Sequence, residues 1–185
     1  ISVTGGAQDF DLTSSQRVVF EAGLDAAAHS TNAWIVTAGS DTGVMKLVGR
    51  AMRARKSTQP LIGIFTIGVT VGGDALLGCA GETVPYAGGK AGKAGAPLSP
   101  DHTHFVLVDT GVKGKFGGSN KIRTGLETVL CANCRAPLVQ LVVQGGPGTI
   151  QTVREAAARG HPVVVLTDTG GAAAALGAYV THGDL

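Results

Sequence analysis

Pro137-Leu138-Val139-Gln140-Leu141-Val142-Val143 runs directly into Gln144-Gly145-Gly146-Pro147-Gly148-Thr149, and then into Ile150-Gln151-Thr152-Val153-Arg154-Glu155-Ala156-Ala157-Ala158. A short run of branched apolar residues meets a glycine-rich turn, and Ile150, Val153 and Ala157 then recur at helical spacing. Gly160-His161-Pro162 stops that helix, and a second apolar run follows from Pro162 to Leu166. Strand, glycine loop, helix and strand in this order make the repeating unit of a parallel sheet, because parallel neighbours need a crossover connection.

The same rhythm extends outward. Further strands are predicted at Ile1 to Val3, Ala33 to Thr37, Leu61 to Thr66 and His104 to Val108. Between them, Phe20, Leu24 and Ala27 mark one helix face, Met45, Val48, Gly49 and Met52 a second, and Ile122, Leu126, Val129 and Leu130 a third. Ser14 and Ser15 stand where the first helix needs a cap, and an alanine run after Gly171 gives a last, close-packing helix. The predicted fold class is α/β, a parallel sheet with helices on both faces. Residues 1–185 read as a single domain, and residues 67–100 as a long glycine-rich loop insertion whose stretch Ala87 to Ala96 leans toward mobile. The chain starts at Ile1, already inside an apolar run, and so reads as a fragment of a larger protein.

Composition narrows the function. With 44% hydrophobic residues and 4% aromatics, small side chains must fill the core. A net charge of +2, from 15 basic and 13 acidic residues spread along the chain, offers no footprint for nucleic acid or an anionic membrane. No apolar run approaches the ~20 residues of a membrane span, so a soluble chain without direct membrane insertion is expected, and three unevenly placed cysteines point to a reducing, cytoplasmic compartment. Cys79, Cys131 and Cys134 do not make a disulfide framework, and Cys131 and Cys134 read as ordinary thiols rather than a zinc pair.

Ligands of such sheets gather beyond the carboxyl ends of the strands. Four predicted loops there are rich in glycine: Thr4-Gly5-Gly6-Ala7, Ala38-Gly39-Ser40-Asp41-Thr42-Gly43, Gly145-Gly146-Pro147-Gly148-Thr149 and Thr169-Gly170-Gly171. Glycine lets main-chain N–H groups approach a phosphate, and the following helix adds its dipole. Each such interaction is worth only ~0.3–1 kcal/mol at an exposed site, so several loops must converge. Neither G-x-G-x-x-G after the first strand nor a Walker A sequence occurs, and no G-x-S-x-G marks a serine hydrolase. His102 and His104 would share one face of a strand, but no third ligand accompanies them and no metal site is assigned.

Ile1-Ser2-Val3-Thr4-Gly5-Gly6-Ala7, Ala33-Trp34-Ile35-Val36-Thr37, Thr42-Gly43-Val44-Met45-Lys46, His102-Thr103-His104-Phe105 and Gly145-Gly146-Pro147-Gly148-Thr149 occur in that order. As a set they resemble the N-terminal nucleotide-binding region of TRPM (melastatin-related) cation channels, a member of the SLOG superfamily. The resemblance covers nearly the whole chain apart from residues near 70 to 98. It implies a Rossmann-like, SLOG/LOG-like fold and a cytosolic sensor for ADP-ribose or a related adenine nucleotide, with no other cofactor. The remainder of a larger channel protein would be the partner, a tetramer being among the assemblies allowed.

The resemblance also assigns roles. In Lys113 to Arg123, Phe116 matches a tyrosine that stacks on adenine, and Arg123 matches an arginine that binds phosphate. Gly171 stands where ADP-ribose-binding relatives carry a second arginine, and Lys115 or Lys121 is the cation nearest at hand to compensate. The expected ligand-binding set is Thr4, Gly5, Gly6, Ala7, Gly39, Ser40, Thr42, Gly43, Phe116, Arg123, Gly145, Gly146, Gly148, Thr149, Gly170 and Gly171. Two other readings stay open. The LOG branch implies a nucleotide phosphoribohydrolase, but Thr152 replaces its catalytic glutamate and Glu155 lies nearly a turn further on, so no catalytic residue is assigned. The third is a non-binding SLOG scaffold within a larger assembly.

Overall fold

A computed structural model describes residues 1–78 and 81–183. Cys79 therefore lies outside the described residues. The chain forms β1 (Ser2–Gly5), α1 (Ser14–Thr31), β2 (Ile35–Thr37), α2 (Gly43–Ala54), β3 (Leu61–Thr66), β4 (His104–Val108), α3 (Asn120–Cys134), β5 (Gln140–Val143), α4 (Pro147–Ala158), β6 (Val163–Leu166) and α5 (Gly171–His182). The strands make one parallel sheet in the order β4-β3-β2-β1-β5-β6. The chain steps outward from β1 to β4 and returns on the other side of β1, which creates a switch point between β1 and β5. This is a Rossmann-like α/β fold.

Alternation along β5 fixes the layers, because successive strand residues face opposite ways. Val143 belongs to the core made with Phe20, Leu24 and Ala28 of α1 and Val44, Val48 and Met52 of α2. Val142 belongs to a second cluster with Val153 of α4 and Ala173 of α5. Helices thus cover both faces, and the chain turns from strand to helix along one rim.

The boundaries shift in informative places. β1 runs on through Thr4 and Gly5, because Gly5 still pairs with Val143. α1 is capped one residue earlier than the serines: Thr13 Oγ1 accepts from Gln16 N, and the Gln16 side chain accepts from Thr13 N at 2.9 Å. Gln16 lies three residues beyond Thr13, the spacing that closes a capping box. Ala28 and Ala156, not Ala27 and Ala157, face the core.

Helix α3 departs most from its reading. Ile122 and Val129 are half exposed, while Arg123 and Glu127 turn toward the sheet and Leu126 and Leu130 are partly buried. The reason lies beneath the helix, where β1 and β5 place buried Ser2 and Gln140. Buried polar groups require partners. Ser2 Oγ donates to Glu127 Oε1 at 2.7 Å, and Gln140 Nε2 donates to the Ser2 carbonyl at 2.9 Å.

The insertion after β3 is tied to the sheet at its carboxyl end. Ala96 N–H donates to Val69 O, Val71 N–H to Ala96 O, and Asp41 N–H to Pro97 O. Tyr86 Oη donates to Val71 O at 2.7 Å and accepts from Leu98 N–H. Ala96 is buried against Phe65 and Val69. The stretch read as mobile is thus anchored where it rejoins the fold.

Candidate functional site

A cleft of about 1120 Å³ opens on the rim formed by the carboxyl ends of the strands. Its volume slightly exceeds the ~300–1,000 Å³ usual for small-molecule sites, because it runs on as a groove between α3 and α4, past Gln140 and His161. Twelve residues of the expected set line it: Thr4, Gly5, Gly6, Ala7, Ser40, Thr42, Phe116, Arg123, Gly145, Gly146, Gly148 and Thr149. Gly39, Gly43, Gly170 and Gly171 do not.

Three of these, Gly39, Gly43 and Gly171, are held by backbone packing, whereas Gly170, at φ +82, has open space beside its Cα. A Cβ on Gly39 would come within 2.6 Å of Gly63 Cα, so the loop after β2 is wedged against β3. Gly43 has φ +53, its N–H donates to Asp9 Oδ1 at 2.8 Å, and the next N–H, of Val44, goes to Gly6 O. The start of α2 is therefore filled by the protein's own carboxylate. The start of α5 is filled similarly: Ala172 N–H donates to Gly145 O and Ala173 N–H to Gln144 O. Gly171, at φ +57, lies so close to the Gly145 carbonyl that a Cβ would meet it at 2.4 Å.

The start of α4 is different. Gly146 N–H makes a long bond to Thr149 Oγ1 at 3.3 Å, Pro147 has no N–H, and Gly148 N–H has no acceptor among the described residues. An unfilled helix N-terminus with its dipole directed into a cleft favours an anion. The Thr4–Ala7 loop flanks it across the β1–β5 switch point.

Phe116, half exposed on the loop after β4, rests against Phe65 with ring centroids 6.5 Å apart and planes tilted by 53°. One face of the ring is supported while the residue still lines the cleft. Arg123 is more committed. Its Nη2 donates to Ser2 Oγ at 2.6 Å, Val3 O at 3.0 Å and Val36 O at 3.2 Å, and its Nε to Glu127 Oε1 at 3.0 Å. β1 and β2 pair only through Ser2 and Val36, and the guanidinium adds bonds to a carbonyl of each strand where the two diverge. Its Nη1 has no hydrogen bond among the described residues.

Asp9 is a cleft residue that the sequence reading missed. Lys46 Nζ donates to Asp9 Oδ2 at 2.6 Å, and this bond, with that from Gly43 N–H, holds the carboxyl below its usual range. Asp9 stands just beyond the Thr4–Ala7 loop, but the helix whose start it fills, α2, begins 34 residues further along the chain, so no local signal marks it. Thr152, at the position of the LOG glutamate, lines the cleft and donates to Gly148 O at 3.1 Å, while Glu155 accepts from Gln151. Lys115 and Lys121 do not line it.

His102 lies before β4 rather than on it, so it does not share a strand face with His104. It is buried with Nε2 2.7 Å from Thr37 Oγ1, whereas His104 is exposed beside Thr103. Burial pushes the His102 imidazole down to about 4. No cluster of three or more metal-ligating side chains occurs among the described residues. Among them, no helix is long and apolar enough to cross a membrane. Burial raises the Cys131 thiol above its ordinary value.

The family model described as SLOG in TRPM matches residues 1–183. Relatives include a Transient receptor potential cation channel subfamily M member-like 2 of Nematostella vectensis, 36% identical over 98% of this chain and 13% of its own length. The subfamily M member 2 channel of Rattus norvegicus is 35% identical over 92% of the chain and 12% of its own length. The subfamily M member 6 channel of Homo sapiens is 38% identical over 94% and 9%. The chain thus spans about an eighth of the first two relatives and less of the third. With the family match running from the first strand to the last helix, the chain belongs to the SLOG family of TRPM channels.

Proposed function

We propose that this chain is a cytosolic ligand-sensing domain that binds ADP-ribose or a related adenine nucleotide and regulates a TRPM-like cation channel. The observation that carries the reading is the open start of α4, where Gly148 N–H has no acceptor among the described residues, in the same cleft as the half-exposed ring of Phe116. The pyrophosphate would lie over Gly145 to Thr149 and Thr4 to Ala7, the adenine on Phe116, and Arg123 Nη1 toward the phosphates. Ordering a ligand across loops from β1, β4 and β5 would stiffen the rim that holds them together. That is a physical route from binding to a change in the attached channel.

Calorimetric titration of the purified chain with ADP-ribose, followed by chromatography of the nucleotide, tests the proposal. Saturable binding with the nucleotide recovered intact supports it. Absence of binding overturns it, and release of the base or ribose phosphate would transfer the assignment to hydrolysis.

A further inference from the structure

Charged groups in the cleft are nearly all paired. Asp9 is bound by Lys46, and Arg123 by Glu127. Arg159 donates to the Glu155 carbonyl at the far end of α4, away from the glycine loops. Lys93 is the exception: it lines the cleft and has no ion pair or side-chain hydrogen bond among the described residues.

The backbone explains how a residue so far along the insertion reaches this rim. Gly92 and Gly95 exchange hydrogen bonds, Gly92 N–H to Gly95 O at 2.8 Å and Gly95 N–H to Gly92 O at 3.3 Å, which folds Lys93 into a tight hairpin tip. Ala96 then joins the chain just beyond β3 through Val69 and Val71. The tip therefore stands on the rim beyond β2 and β3 and lines the same cleft as the loops after β1 and β5.

We propose that Lys93 supplies the positive charge that holds a diphosphate group at the glycine loops, making the insertion a working wall of the binding site. The proposal deepens the nucleotide reading and rests on it for the ligand's identity, but the diphosphate chemistry can be tested alone. A flexible ammonium over open N–H groups suits a diphosphate because it adds charge without requiring fixed geometry. Since Lys93 has no ion-pair partner among the described residues, a ligand need not break an existing ion pair to engage it.

The test titrates the purified wild-type chain and the K93A, K93Q and K93R variants with ADP-ribose, inorganic pyrophosphate and adenosine. Lys93 is exposed, so the variants should melt with the wild type. K93A and K93Q should bind ADP-ribose and pyrophosphate about tenfold more weakly, K93R should retain most of the affinity, and adenosine should be unaffected. Equal binding of ADP-ribose by wild type and K93A overturns the role of Lys93 and leaves the nucleotide reading standing. If the wild type binds pyrophosphate but not ADP-ribose, the nucleotide reading fails, and the pyrophosphate comparison between wild type and K93A decides for or against Lys93. Binding of neither pyrophosphate nor ADP-ribose by the wild type overturns both.

Discussion

Arg123 and Glu127, one turn apart on α3, form an ion pair in which each side chain is almost wholly buried and each also bonds to Ser2 Oγ. A residue matched by resemblance to phosphate binding is therefore also a structural clamp between α3 and the first two strands.

Removing one partner of a buried pair leaves the other charge uncompensated, at a cost of roughly 3–5 kcal/mol. Arg123→Ala should lower the melting temperature by roughly 10 °C in a chain of this size. Adding Glu127→Gln should recover a good part of that loss. Thermal unfolding of the single and double variants checks this, and a wild-type melting curve for Arg123→Ala would show that the clamp contributes nothing. Loss of ligand binding by Arg123→Ala is informative only beside such curves.

Gly171→Arg would recreate the second arginine that the resemblance associates with ADP-ribose binding, yet it should not improve affinity. At φ +57 an L side chain is strained, and its Cβ would meet the Gly145 carbonyl at 2.4 Å. The variant should lose stability, by about 1–3 kcal/mol, and disturb the Gly145 to Thr149 loop. Gain of ADP-ribose affinity with an unchanged melting curve would contradict this.

The strands and their order of use were legible because fully buried parallel strands such as Leu61 to Thr66 are continuous apolar runs. By composition alone, in contrast, the four glycine loops are alike, although the resemblance favours Thr4 to Ala7 and Gly145 to Thr149 for the pyrophosphate. What separates them is tertiary: Asp9 fills the start of α2, and the carbonyls of Gln144 and Gly145 fill that of α5. Periodicity picked Ile122 and Val129 as the inner face of α3, since an apolar stripe predicts burial only when the surface beneath it is apolar. Here Ser2 and Gln140 lie beneath, a juxtaposition created by strand pairing between residues far apart in sequence. Lys93 carried no local signal, because its place follows from the anchoring of Ala96.

Phe116 should matter more for binding than for folding. It is half exposed, and its tilted contact with Phe65 is worth about 0.5–1.5 kcal/mol. Phe116→Ala should therefore cost only a few degrees of melting temperature, while losing base stacking of about 1–3 kcal/mol should weaken ADP-ribose binding about tenfold or more. Phe116→Tyr should bind at least as well as the wild type. Calorimetry on both variants decides the matter, and unchanged affinity in Phe116→Ala would remove the ring from the site.

His102 should make stability depend on acid. In the fold its imidazole is pushed down to about 4 by burial, beside Thr37, Phe105 and the Asp101–Arg53 ion pair, whereas in the unfolded chain it titrates near the ordinary histidine value of 6.5. Between these values the unfolded chain binds the extra proton, so stability is complete above about pH 6.5 and falls as pH drops toward 4. The full span corresponds to roughly 3 kcal/mol. Denaturant unfolding from pH 7 to 4 should show this slope, and His102→Asn, less stable at pH 7 through its altered bond to Thr37, should show a shallower one. Parallel slopes in the two proteins would mean that His102 is not the group responsible.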